Sequence, residues 1–168
     1  KETLILVERE MRKYRVSVET QIQQVPPANA IGNQIQQVLL NLLINARQAT
    51  AEGGRILIGL SHDAANDTVD LVVRDTGSGI PADKLQRIFD PFFSTKKGPD
   101  ASGKGGTGLG LATCRNIIEH HRGRIRVESS VGVGTCFTIK LPVHRKSAPI
   151  VTATGLPQTF PAAAFSPH

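Results

Sequence analysis

The 168 residues contain no tryptophan and one tyrosine, and aromatic side chains reach only 4% of the chain. Base stacking therefore has few platforms. Although the formal charge is +6, the Lys and Arg residues are spread along the sequence rather than gathered into one block, so no nucleic-acid partner is expected. Long hydrophobic runs are missing as well, and none approaches the roughly 18 apolar residues that cross a bilayer. The opening KETLILVEREMRKY mixes acids and bases with its apolar residues, unlike a signal peptide. The expectation is a cytoplasmic domain without direct membrane contact, any membrane-spanning part of a parent protein lying elsewhere. Cysteine is scarce: Cys114 and Cys136 stand far apart with no His or Cys at ligand spacing, which points to free thiols rather than a disulfide or a metal site. What remains is ordinary for one soluble globular domain, with 39% hydrophobic and 20% charged residues.

Periodicity divides the chain. Leu4, Ile5, Val7 and Met11 recur among charges at rough helical spacing, predicting an entry helix or connection over 1–15. Val16, Val18, Thr20 and Ile22 alternate with polar residues and predict a half-buried strand that stops before Pro26 and Pro27. With Asn33 as its N-cap, the run Ile35, Val38, Leu39, Leu42, Ala46, Ala49 predicts a helix that Gly53 and Gly54 terminate. RILIGLS and TVDLVVRD, joined by HDAAND, read as a hairpin, and ADKLQRIFDPFF as a short helical or irregular segment. Residues 94–107, polar, basic and glycine-rich, predict a mobile loop. LGLATCRNIIEHH returns to a helical pattern, and RIRVESS and GTCFTIKLP give two further strands about a VGVG turn. The proline- and alanine-rich stretch over 144–168 reads as a flexible tail or linker, leaving 16–143 as the folded domain.

Three polar features interrupt these patterns. Asn41, Asn45 and Gln48 share one flank of the helix after Asn33, where an interior asparagine is mildly unfavourable. Solvated amides account for them as simply as a ligand does. Asp75-Thr76-Gly77-Ser78-Gly79-Ile80 sets a carboxylate at a strand end before two glycines, an arrangement that suits either a local Asx turn or an acceptor for an adenine amino group. Gly106-Thr107-Gly108-Leu109-Gly110-Leu111 opens a helix, where free backbone N–H groups and the helix dipole favour phosphate, though a plain flexible turn fits it too. Its spacing is neither the dinucleotide nor the P-loop pattern.

Read in order, these segments resemble the catalytic domain of sensor histidine kinases, within the superfamily shared with gyrase, mismatch-repair and chaperone ATPases. VLLNLLINARQA is similar to that family's N box, VRDTGSGIP to its first glycine box, IFDPFFSTK to its phenylalanine box, and GGTGLGLATCRNIIEHHRG to its second glycine box, while GVGTCFTIKLP resembles its final strands. The likeness runs over about residues 16 to 142.

The resemblance implies a two-layer α/β sandwich of the histidine-kinase ATPase type (Bergerat fold), a mixed, largely antiparallel sheet with helices on one face. It implies binding of ATP and Mg, with Asn45 holding Mg²⁺, Asn41 beside the phosphates and Gln48 also at the ATP site. Asp75 would read the adenine amino group, Gly77, Gly79, Ile80 and Phe89 would line the pocket, and Gly106, Thr107, Gly108, Leu109, Gly110 and Leu111 would close over the phosphates, with Lys96, or else Lys97 or Lys104, adding charge. The γ-phosphoryl group would pass to a histidine on a separate dimerisation and phosphoacceptor domain, and from there to a response regulator receiver domain. No H-box context surrounds His120, and His121 matches the family's structural histidine. Two departures stand out: many members have Lys in place of Gln48 and an aromatic in place of Ala49. The N-A-R-Q-A variant is similar to the subgroup of nitrogen-regulation kinases. Against a hydrolytic ATPase of the gyrase kind stands Asn41, where that kind has the glutamate that activates water. A nucleotide-binding scaffold without activity is the other alternative.

Overall fold

In the computed structural model, the described residues are 2–93, 110–145, 150–151 and 157–158. Helix α1 (Glu2–Lys13) leads into strand β1 (Ser17–Ile22), followed by helix α2 (Gly32–Ala49), strands β2 (Arg55–Asp63) and β3 (Thr68–Asp75), the single turn α3 (Ala82–Leu85), helix α4 (Gly110–His120) and strands β4 (Arg124–Ser130) and β5 (Gly134–Pro142). A separate pair of two-residue strands, β6 (Ile150–Val151) and β7 (Pro157–Gln158), follows. The main sheet has the order β1-β2-β3-β5-β4, with β1 parallel to β2 and every other neighbour antiparallel. This is the mixed, largely antiparallel sandwich expected.

Strand alternation sorts the two faces. In β3, Val69, Leu71, Val73 and Asp75 are buried, and in β5 Thr135, Phe137, Ile139 and Leu141. Their register stacks them in rows across the sheet, among them Ile58–Val73–Phe137–Val127 and Ile56–Asp75–Thr135–Ser129. Helix α2 covers this face with Val38, Leu42, Leu43 and Ala46, and α4 with Ala112, Cys114 and Ile118. Fully buried side chains of this size are worth about 1.5–3 kcal/mol each, so the face that carries the last row is held rigidly. The opposite face is polar: Lys140 forms ion pairs with Asp70 at 2.5 Å and Asp63 at 3.3 Å.

Two local expectations differ from the structure. Asn33 does not cap α2; Ile31 holds the N-cap position and no side chain caps the helix. The Ile31 N–H instead donates to His121 Nε2 at 3.0 Å, while His121 Nδ1 donates to the Ile117 carbonyl at 2.7 Å. The neutral imidazole thus ties the start of α2 to the end of α4, the structural task expected of His121. Strand β1 is largely exposed rather than half-buried, with only Val18 partly covered inside it and Ile22 58% exposed, and it lies at the edge of the sheet. Helix α1 joins the same core through Val7 and Met11.

Candidate nucleotide site

At the end of β3, Asp75 points from the helix-covered face and is only 5% exposed. Two backbone groups converge on one carboxylate oxygen: the Gly77 N–H donates to Oδ1 at 2.8 Å and the Thr135 N–H at 3.2 Å. Burial raises its pKa above the ordinary carboxylate range, and these two bonds offset part of the rise. A carboxylate so costly to bury, anchored through one oxygen, is a specific acceptor rather than a surface charge.

The loop after Asp75 is fastened on both sides. Ser78 N–H donates to the Ala49 carbonyl at the end of α2, and Gly132 N–H, in the β4–β5 turn, donates to the Ser78 carbonyl at 2.8 Å. Close approach explains the glycines. A Cβ on Gly77 would stand 2.5 Å from the Ala49 oxygen, and one on Gly79, whose φ is +75°, would run into the Ser130 carbonyl. Gly132 has a similar φ of +78° but open space around it. Gly79→Ala is therefore expected to cost more stability than Gly132→Ala. Strained φ alone is worth roughly 1–2 kcal/mol, and a backbone overlap adds to it. Urea unfolding of the two variants measures the difference; equal losses would mean that the tight packing of the loop on β4 is not maintained in solution.

Asn41, Asn45 and Gln48 lie on α2. They are partly buried, and the Asn41 side chain hydrogen-bonds Cys114 of α4. Cys114 Sγ also lies 3.8 Å from the Val38 carbonyl, and burial pushes its thiol up to about 11, so it remains a protonated link between the helices. Phe89 packs edge-on to Phe137, ring centroids 6.4 Å apart, and Ile80 and Leu111 also pack against the core. Gly110 opens α4, and a Cβ there would meet no atom within 4 Å. The structure places Asn41, Asn45 and Gln48 on α2, Asp75 at the end of β3, Gly77, Gly79 and Ile80 in the loop that follows it, Phe89 after α3, and Gly110 and Leu111 at the start of α4. Lys96, Gly106, Thr107, Gly108 and Leu109, and the loop expected over 94–107, lie outside the described residues.

Sequence reading missed Thr135 and Ser129. Thr135 is the cross-strand partner of Asp75 and is 5% exposed, and Ser129 is the partner of Thr135 on the other side. A signal was present: Thr135 falls in the buried phase of GTCFTIKLP with Phe137, Ile139 and Leu141. Both thiols are free, and no group of three His, Cys, Asp or Glu side chains able to hold a metal occurs among the described residues. Nor is any helix among them long and apolar enough to cross a membrane.

The family model for histidine kinase-, DNA gyrase B- and HSP90-like ATPases matches residues 30–145. The adaptive-response sensory kinase SasA of Crocosphaera subtropica is 44% identical over 123 residues, covering 73% of this chain and 31% of the relative. The sensor histidine kinase ZraS of Escherichia coli is 44% identical over 120 residues, covering 71% of this chain and 24% of the relative. This chain therefore spans about a quarter to a third of the length of these relatives. Among solved structures, the catalytic domain of histidine kinase ThkA superposes with a TM-score of 0.71 at 34% identity, covering 84% of this chain and 88% of that one. Full-length ShkA in complex with AMPPNP gives a TM-score of 0.71 at 27% identity, covering 90% of this chain and 32% of that one.

Proposed function

This chain belongs to the histidine kinase-, DNA gyrase B- and HSP90-like ATPase family, and on that premise we propose that it binds Mg·ATP and donates the γ-phosphoryl group to a histidine on a separate dimerisation and phosphoacceptor domain. A response regulator receiver domain would take the phosphoryl group next. The observation that carries this reading is the buried Asp75 carboxylate, held through Oδ1 by the Gly77 and Thr135 N–H groups beside two glycines that admit no side chain.

The donor chemistry fits the ligands. An adenine amino group offers hydrogens to an anchored carboxylate, and phosphates suit the backbone N–H groups at the start of α4. Mg²⁺ characteristically keeps several waters and few protein ligands when it accompanies a nucleotide. A single amide oxygen from Asn45 matches that habit better than an all-protein cage would. The metal would supply charge neutralisation at the phosphates, while this chain binds and orients the nucleotide for in-line attack. Asn41 argues against the hydrolytic alternative, since its amide engages Cys114 and is no general base. ThkA is described as a histidine kinase catalytic domain, which supports the same assignment.

Titration calorimetry with Mg·ATP across pH tests the reading. Binding is expected at neutral pH and should weaken as pH falls through the raised pKa of Asp75, before ordinary carboxylates protonate near ~4. The folding contribution of the same group has the opposite sign. Burying the ionised form is costly, and that cost is relieved as the carboxyl takes a proton below its folded pKa. Affinity and stability should therefore move in opposite directions over this window; no ATP binding at neutral pH would end the proposal.

A further inference from the structure

We propose that Ser129 is a specificity-determining positioning residue of the base site, which fixes the hydroxyl proton of Thr135 so that only acceptors face the base. The inference rests on the ATP reading of the Asp75 site.

Three contacts meet at the Ser129 hydroxyl. The Ile80 N–H donates to its oxygen at 2.7 Å, the Gly134 carbonyl lies 3.1 Å away, and the Thr135 hydroxyl lies 2.8 Å away. Each hydroxyl has one proton, and the carbonyl can only accept. All three contacts are satisfied at once in one way: Ser129 donates to Gly134, and Thr135 donates to Ser129. Thr135 Oγ1 then keeps lone pairs and has no proton left for a ligand.

Its other neighbour in the cross-strand row is Asp75. A carboxylate and a hydroxyl whose proton is committed to Ser129 stand side by side, both on the helix-covered face of the sheet. That pair attracts the amino group of adenine and repels the carbonyl oxygen of a 6-oxopurine. Without the Ser129 hydroxyl, the Thr135 proton is released and can turn to donate to such a carbonyl. Ser129 touches no base in this scheme; it acts through Thr135 and through Ile80, whose N–H it holds.

Calorimetry on the chain with Mg·ATP and with Mg·inosine triphosphate, which differs at the amino position, tests the idea on Ser129→Thr and Ser129→Val. Both substitutes are β-branched and suit a strand position, and the Gly132 to Ser78 bond fastens the same turn independently. Ser129→Val should shrink the ATP to inosine triphosphate affinity ratio by about tenfold, the usual worth of one hydrogen bond at a discriminating site. Ser129→Thr should retain the ratio. A purely structural role would weaken both nucleotides alike, so equal ratios for the two variants would overturn the inference while leaving the ATP site intact. Failure of the unmodified chain to bind either nucleotide would remove the ATP reading and this inference together.

Discussion

Replacing Asp75 by Asn is expected to cost ATP affinity on the order of 2 kcal/mol, about 30-fold, and to abolish the preference for ATP over GTP. The direction follows from how the carboxylate is held. Gly77 and Thr135 N–H both donate to Oδ1, so an amide introduced there must turn its oxygen toward them. Its NH₂ group then occupies the position of Oδ2. A donor meets the adenine amino group, where an acceptor stood before, while the carbonyl of GTP finds a partner it previously lacked. Loss of the buried charge also removes the desolvation cost that raises the Asp75 pKa, so the variant should fold at least as well as the parent chain. Calorimetry with both nucleotides, beside a melting curve, separates the two effects. Unchanged ATP affinity in Asp75→Asn would place adenine recognition elsewhere.

The fold was largely legible because its signals are local. HDAAND predicts a hairpin, and Asp63 indeed closes it by accepting from the Ala65 and Asn66 N–H groups. The apolar run from Ile35 to Ala49 predicts α2, whose buried residues Val38, Leu42 and Ala46 lie on that stripe. The errors came where partners are distant in sequence. Asn33 has the chemistry of a cap, yet the Ile31 N–H is satisfied by His121, 90 positions away. Thr20 and Ile22 have the alternation of a half-buried strand, but both are exposed on a strand that the sheet order places at the edge. The same limit applies to the site. Asp75, Gly77 and Gly79 stand in one short motif and could be read together. Thr135 and Ser129 come beside Asp75 only through the β3–β5 and β4–β5 registers, which no local pattern encodes.

Incubated alone with radiolabelled Mg·ATP, the chain is expected to form no acid-labile phosphohistidine, and the parent kinase's dimerisation and phosphoacceptor domain, added in trans, should become labelled. The histidines near the site are unsuited to the role of acceptor. His121 is buried, and both of its ring nitrogens are committed, one to the Ile31 N–H and the other to the Ile117 carbonyl. His120 is exposed at the far end of α4 from Gly110, the end at which phosphate would sit. On the proposed function, the nucleophile is a histidine of the separate phosphoacceptor domain, brought to near-attack distance of the γ-phosphate. Asn45→Ala should lower the transfer on the order of 100-fold or more, because an amide oxygen that couples metal to nucleotide commands several kcal/mol of charge stabilisation. A melting curve beside the assay separates loss of metal coupling from loss of fold, the core face of α2 being built from Val38, Leu42, Leu43 and Ala46. Label appearing on His120 or His121 of the isolated chain would contradict the division of labour. Steady release of inorganic phosphate without an added domain would favour a hydrolytic ATPase, and undiminished transfer by the Asn45 variant would move the metal to other ligands.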